Sequence, residues 1–321
     1  MTARVRVPAT SSNLGAGFDC IGIAIDRWLT ASATLGVARG REIRIQRGGQ
    51  LAALALPPEE DLLVVGFHAA CAAAGVQQVG VVIEATSEIA VGRGLGSSAA
   101  AIVAGALLAD AALGLGLSRH QIVEIAARVE GHPDNVAPAV HGGAVLSVRT
   151  PSGLRTAALT VSPDLVFLLA VPPFPSDTRA ARAALPGVLP HEVAVLAASR
   201  AAALVQGLRA GDRELLAVAL NDDVLHVPYR RARIPGYDAV VAAAQAAGAY
   251  GATLSGAGSA ILAIAPRERA GTVGAALLAA WRDAGVEAEL LRCTDLAGGA
   301  SVSAAAPPRT THHEPRTIHQ T

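Results

Sequence analysis

The run Gly92-Arg93-Gly94-Leu95-Gly96-Ser97-Ser98-Ala99 has the residue types to hold an anion. Three glycines alternate, two hydroxyls follow, and an apolar stretch to Ala109, interrupted only by Gly105, reads as a helix. Glycine lets a backbone approach a ligand closely. The first helical turn leaves N–H groups unpaired, and these favour a phosphate. The chain contains no lysine, so all 26 basic residues are arginines. A Walker P-loop, which needs a Gly-Lys-Ser/Thr end, is thereby excluded. Charge neutralisation at such a site falls to backbone N–H groups, the helix dipole, arginine and a divalent metal. Gly94-x-Gly96-x-x-Ala99 also fits a dinucleotide-binding turn, but the acidic residue that turn requires is missing, because Asp110 lies in the same helical run. Ser97 and Ser98 can donate to phosphate oxygens, ligate a metal, or cap the helix.

The elements that must position this loop follow from periodicity and breakers. Val79–Glu84 is β-branched and predicts a strand entering the loop; Val5–Pro8, Ile43–Gln46, Ala144–Val148, Leu165–Val171 and Ala260–Ala265 read likewise. Ala9–Asp19, polar and glycine-containing, is expected to be a loop. Helical spacing marks Leu62–Ala74, and Ser118 with Gln121 forms a capping box for a helix to about Val129. Gly131–Pro138 is expected to be irregular. Further helices are expected over about 190–210, 213–220, 237–247 and 267–284. Strands and helices mixed in this way indicate the α+β class. Thr150–Gly153 is the expected boundary between two domains, 1–150 and 151–300. From Ser301 the composition turns to Ala, Pro, Thr and His, which predicts a disordered tail over 301–321. Its His312, His313 and His319 could bind a metal.

Composition narrows the classes. A hydrophobic content of 52% with only 3% aromatics means a core of Ala, Val, Leu and Ile. The formal net charge is zero, and no basic stripe interleaved with aromatics appears, so no nucleic-acid surface is expected. Cys20, Cys71 and Cys293 are odd in number and scattered, as in a reducing cytoplasm. The apolar N-terminal residues alternate with Arg4 and Arg6 instead of forming a signal peptide. The long uncharged stretches are broken by glycine, and no membrane segment is expected.

Further constellations stand apart in the chain: Pro8-Ala9-Thr10-Ser11-Ser12-Asn13-Leu14-Gly15-Ala16-Gly17-Phe18-Asp19, Glu130-Gly131-His132-Pro133-Asp134-Asn135-Val136-Ala137-Pro138 followed by Gly142-Gly143, and Ser255-Gly256-Ala257-Gly258. Together with the glycine loop, in this order and spacing, they resemble the GHMP kinases. The first and third of the four, with Asp177-Thr178-Arg179-Ala180-Ala181-Arg182 and His226-Val227-Pro228-Tyr229-Arg230, resemble the homoserine kinases within that superfamily.

The resemblance covers roughly residues 3–300. It implies an N-terminal domain like the second domain of ribosomal protein S5 and a ferredoxin-like C-terminal domain. It also implies ATP with Mg2+, L-homoserine as substrate in a step towards threonine, and a homodimer. Gly92, Arg93, Gly94, Leu95, Gly96, Ser97, Ser98 and Ala99, with Gly256 and Gly258, would form the nucleotide site. Ser98 and Glu130 resemble the metal ligands, with Glu124 an alternative to Glu130. Asn13, Asp19, His132, Thr178, Arg182 and Arg230 resemble the substrate contacts. The charges fit a zwitterion: an ammonium wants the carboxylate of Asp19, and a carboxylate wants guanidinium forks. Asn135 stands where many GHMP kinases carry an aspartate base; an amide orients a hydroxyl but takes no proton. Asp134 beside it reads equally as a structural cap. Asp61 replaces an Asn that in relatives contacts adenine, Ala90 replaces a Pro, and Ser259-Ala260 replaces Pro-Thr.

Overall fold

The structure, a computed structural model, describes residues 2–36, 42–77 and 79–304. Strand β1 (Thr2–Asn13) alternates exposed and buried side chains at first, then buries every residue from Val7 onward. It pairs antiparallel with the long strand β2 (Gly17–Leu35) through two register shifts, at Pro8/Ala9 and Ser12/Asn13. The expected loop over Ala9–Asp19 is therefore mostly strand, with only a tight turn between β1 and β2. Thr10, Ser11, Ser12 and Asn13 read as loop residues because they are polar, yet all four are buried. Each makes a side-chain hydrogen bond to a residue far along the chain.

Around this pair lie β3 (Ile43–Gly49), β4 (Val81–Ser87), β5 (Ala144–Thr150), β6 (Gly153–Leu159) and β11 (Ser301–Ala304). The order is β11-β1-β2-β4-β3; only β3 and β4 run parallel. The first part of β2 pairs β5 and its last part pairs β4, so one strand serves two neighbours. Thr150–Gly153 is a hairpin turn joining β5 to β6, with Thr150 facing Gly153, and not a linker. The first sheet therefore extends to Leu159, and the second begins at Leu165. Ser301–Ala304 are not tail either: as β11 they pair with Ala3–Arg6 of β1. Residues 305–321, with the three tail histidines, lie outside the described residues.

Helices α1 (Leu62–Ala73), α2 (Ser97–Leu113), α3 (Arg119–Glu130) and α4 (Val136–His141) cover one face of this sheet. The capping box at Ser118 is present as expected. Helix α4 contradicts the irregular segment expected to Pro138. Proline is tolerated there because a helix's first N–H groups have no intrahelical acceptor in any case. Helices α1 and α2 cross in close contact through two glycines. A Cβ on Gly105 would lie 1.9 Å from the Leu63 carbonyl oxygen, and one on Gly66 would lie 2.1 Å from that of Ile102. Gly105→Ala should therefore destabilise the protein despite alanine's better helix propensity, by about 1–3 kcal/mol of overpacking. A melting temperature equal to wild type would refute this crossing.

The second sheet is antiparallel, in the order β10-β7-β9-β8, from β7 (Leu165–Val171), β8 (Gly251–Leu254), β9 (Ile261–Pro266) and β10 (Glu289–Cys293). Every residue of β7 is buried, because the sheet is covered on both faces. Leu165, Phe167 and Leu169 join the main core with α6 (His191–Ala210) and α7 (Arg213–Asn221). Val166, Leu168 and Ala170 pack beneath α9 (Tyr237–Ala246) and α10 (Ala270–Asp283). Short helices α5 (Thr178–Ala183) and α8 (Val227–Arg230) carry two of the predicted site arginines. Among the described residues α6 is the one helix long and apolar enough to cross a membrane by length and composition. Its Leu204, Gly207 and Leu208 are buried in the protein.

Candidate active site

The glycine loop delivers the N-terminus of α2 into a cavity of about 300 Å³ between the two sheets. Gly92, Gly94 and Gly96 all have positive φ, at 71°, 76° and 65°, which side chains other than glycine rarely adopt. Contact reinforces this. A Cβ on Gly94 would lie 2.1 Å from the Ser255 carbonyl oxygen, and one on Gly96 would lie 1.9 Å from Thr10 Oγ1. The glycines thus permit close approach of protein to protein as well as of a ligand.

Backbone bonds tie the loop to its neighbours. Thr10 N–H donates to the Leu95 carbonyl at 3.1 Å, Ala260 N–H to that of Arg93 at 3.0 Å, and Ser176 N–H to that of Gly92 at 2.7 Å. Ser255 Oγ donates to the Gly94 carbonyl at 2.6 Å.

The residue that caps α2 is Gly96, with no side-chain cap bond, so neither serine caps the helix. Ser98 Oγ instead donates to Glu130 Oε2 at 2.5 Å, from the end of α3. Burial raises the Glu130 pKa; the Ser98 hydrogen bond and nearby His132 offset this only in part. The pair is an oxygen-only donor set at a helix N-terminus, which suits a hard cation such as magnesium. Glu124 lies elsewhere, beside His120 and lining a different cavity with Arg128 and Arg149.

Asn135 is held from two sides. Its Oδ1 accepts from Thr10 Oγ1 at 2.8 Å, and its Nδ2 donates to Ser12 Oγ at 2.9 Å. The buried TSSN end of β1 is therefore what aims this amide. Asp134 points into the site and not away from it: its Oδ1 lies 2.5 Å from His132 Nδ1 and accepts the Asn135 N–H at 3.1 Å. Burial lowers the His132 pKa, but the hydrogen bond and charge of Asp134, with Glu130, outweigh it and leave the pKa raised.

At the opposite wall, Asp19 accepts a fork from Arg182, Nη1 to Oδ2 at 2.9 Å and Nη2 to Oδ1 at 2.8 Å. Burial raises the Asp19 pKa, yet the arginine outweighs it and the net shift is downward. Asn13 donates to the Gly256 carbonyl at 3.0 Å and accepts the Asp19 N–H at 3.0 Å, fixing the turn that presents this carboxylate.

Arg230 is only 3% exposed and has neutral acceptors alone: the carbonyls of Ala181 at 3.3 Å and Gly256 at 3.4 Å, and His226 Nδ1 at 3.4 Å. Among the described residues it has no ion pair within 4.0 Å. Burial, then the nearby charge of Arg182, lower its pKa. The carboxylates of Asp19, Asp134 and Asp223 act on it only from a distance, and a buried guanidinium with no anion in contact is the mark of a place for one.

Most predicted site residues line this one cavity: Asn13, Asp19, Asp61, Gly92, Gly94, Leu95, Gly96, Ser97, Ser98, Glu130, His132, Asn135, Thr178, Arg182, Arg230 and Gly256. Arg93, Ala99 and Gly258 do not. The Arg93 side chain turns away and donates to the carbonyls of Pro172, Val91 and Pro173, clamping that loop. Ala99 is buried in α2, and Gly258 faces Ile234. The Asp61 oxygens are already engaged, one accepting the Leu63 N–H at 2.9 Å as the α1 cap, the other accepting from Arg47 Nε at 2.7 Å. Sequence reasoning missed Arg47, and it missed the apolar wall of Leu51, Leu54, Leu56, Leu62, Leu63 and Val91. The signal available was Leu51–Leu56, an apolar stretch running into Pro57-Pro58 where a surface turn would be polar.

Comparison with known proteins agrees with this geometry. The family model for the GHMP kinases N terminal domain matches residues 62–143, and that for the GHMP kinases C terminal region matches 204–283. These define the class: kinases that share this two-sheet fold and carry the glycine loop within the first match. A homoserine kinase from Trichormus variabilis is 41% identical over 88% of this chain and 93% of its own length. One from Synechocystis is 40% identical over 89% and 93%. The crystal structure of homoserine kinase from Cytophaga hutchinsonii superimposes with a TM-score of 0.83 at 30% identity, covering 94% of this chain and 97% of that one. The chain belongs to the homoserine kinase family of the GHMP kinases. At 18% identity, the L. major mevalonate kinase structure shares the fold alone, with a TM-score of 0.64 over 89% and 94% of the two chains.

Proposed function

We propose that this chain transfers the γ-phosphoryl group of ATP to the hydroxyl of L-homoserine, with Mg2+, in the cytoplasm. The observation that carries the reading is the charge set in one cavity: Asp19, Arg182 and the unpaired, buried Arg230. An amino acid with a terminal hydroxyl complements all three. Its ammonium takes Asp19, and its carboxylate takes Arg230 and Arg182. The Asp19–Arg182 pair is then exchanged for contacts with the zwitterion, so every charged group has an opposite partner, the two guanidiniums sharing the one carboxylate. Mevalonate lacks the ammonium and would break that pair without replacing both halves.

The apolar wall from Leu51 to Val91 takes the adenine ring, while Asp61 acts by capping α1 and holding Arg47. Phosphates rest on the N–H groups of the loop from Gly94 to Ser98, through which the helix dipole adds positive charge. Ser98 and Glu130 hold the magnesium ion, which when bound neutralises charge developing on the transferred group. His132, locked to Asp134, borders the substrate. Asn135 orients the hydroxyl. The family resemblance makes a homodimer the expected assembly.

A coupled ADP-release assay across homoserine, threonine, serine, mevalonate and galactose tests the substrate. Turnover of mevalonate without homoserine would overturn the assignment. Asn135→Asp tests the hydroxyl step. It should not accelerate turnover, because a new negative charge near the γ-phosphate opposes the transition state. Asn135→Ala should lower turnover by about tenfold or more with the fold intact. A faster Asp variant with a new ionisation in its pH profile would show that a base was missing.

A further inference from the structure

Phe18 lies inside the Pro8–Asp19 run and takes no part in the reaction as set out above. The chain has four phenylalanines in all, so a half-buried one next to the cavity-lining Asp19 is not one of many core-filling rings. Its ring stacks on the imidazole of His226, with centroids 5.1 Å apart and planes 19° from parallel. The guanidinium carbons of Arg230 and Arg182 both lie over it, 5.2 Å and 5.9 Å from the ring centroid. Each is within the range, about 6 Å, at which an aromatic face attracts a cation.

His226 is itself fixed. It is fully buried, and its Nε2 lies 3.1 Å from the Gly15 carbonyl. Asp223 Oδ2 accepts the backbone N–H groups of His226 and Val227 at 2.8 Å and 2.7 Å. With Nε2–H donating to Gly15, Nδ1 is left to accept from Arg230 Nη1, 3.4 Å away.

Two like charges aimed into one cavity repel. A carboxylate placed between them would hold them but would also satisfy them permanently. An aromatic face attracts both weakly without occupying any N–H donor, so it still holds Arg182 once the fork to Asp19 is given up to the substrate. Leucine would fill the same space without that attraction.

We propose that Phe18, backed by His226, is a positioning residue that holds the Arg182 and Arg230 guanidiniums in place for one substrate carboxylate, and so sets the enzyme's preference for carboxylated substrates. The proposal rests on the homoserine reading. It is tested by steady-state kinetics with L-homoserine and its carboxamide, for wild type, Phe18→Leu and Phe18→Tyr. Phe18→Leu should raise the homoserine KM by about tenfold, with kcat and the KM for ATP within about twofold. The preference for homoserine over the amide in kcat/KM should fall several-fold, because the amide has no carboxylate to lose. Phe18→Tyr should restore both. A general structural defect would weaken acid and amide alike and leave their ratio unchanged. If Phe18→Leu fails to fold, a ring-fluorinated phenylalanine at position 18 keeps the shape, drains the aromatic face and gives the same two readouts. A folded variant of either kind with wild-type homoserine KM and wild-type acid-over-amide ratio overturns the proposal. Wild-type enzyme inactive on homoserine overturns the substrate reading and this inference with it.

Discussion

Glu130→Gln should lower turnover by about two to three orders of magnitude, the scale of several kcal/mol that a metal clamp supplies to phosphoryl transfer. The amide still accepts the Ser98 hydroxyl, so the local geometry survives. What is lost is the negative charge at the N-terminus of α2. In the free protein that charge is held against burial, which raises the Glu130 pKa. The variant should therefore melt no lower than wild type while losing activity. Its activity should also demand a higher magnesium concentration. Turnover and magnesium dependence equal to wild type would remove Glu130 from the metal site.

Arg230→Met should raise the homoserine KM by about ten- to a hundredfold, the 1.5–3 kcal/mol expected of a hydrogen bond to a charged group. The KM for ATP should change much less. Stability gives a second, opposite sign. Arg230 is buried against neutral acceptors at 3.3–3.4 Å, so its charge is a cost to the free protein. Methionine fills similar volume without that cost, and the melting temperature should hold or rise. Arg230→Lys should not rescue binding, because an ammonium lacks the planar fork. An ATP-only defect would place Arg230 in the nucleotide site and would leave the homoserine carboxylate with Arg182 alone.

The contrast between Arg230 and Arg93 shows where legibility ended. Both stand in recognisable motifs, and both were expected at the ligand. Arg230 is there. Arg93 is turned by three carbonyls of Val91, Pro172 and Pro173, two of them about eighty residues away in the chain. The loop's backbone conformation follows from its glycines, a local property. The direction of a long side chain depends on acceptors brought up by the rest of the fold.

The sequence by itself determined the glycine loop and the helix it opens, the capping box at Ser118, the α+β class and most of the glycine and polar residues that line the cavity, though not its apolar wall. Each is a local signal or a motif whose residues act where they stand. Tertiary structure alone decided that Ala9–Asn13 is strand, since four polar residues read as loop until distant partners satisfy them. Ser11 meets Ser255, and Ser12 meets Asn135. Tertiary structure also joined β5 to β6 across Thr150–Gly153 and drew Ser301–Ala304 into the first sheet, because strand pairing is a property of two segments and not of one. It chose Glu130 over Glu124 for Ser98, gave Asp61 to Arg47 and α1, and paired Asp19 with Arg182. In each case the competing assignments differ only in which charge lies within hydrogen-bond reach, and that distance is fixed by packing between segments more than a dozen residues apart.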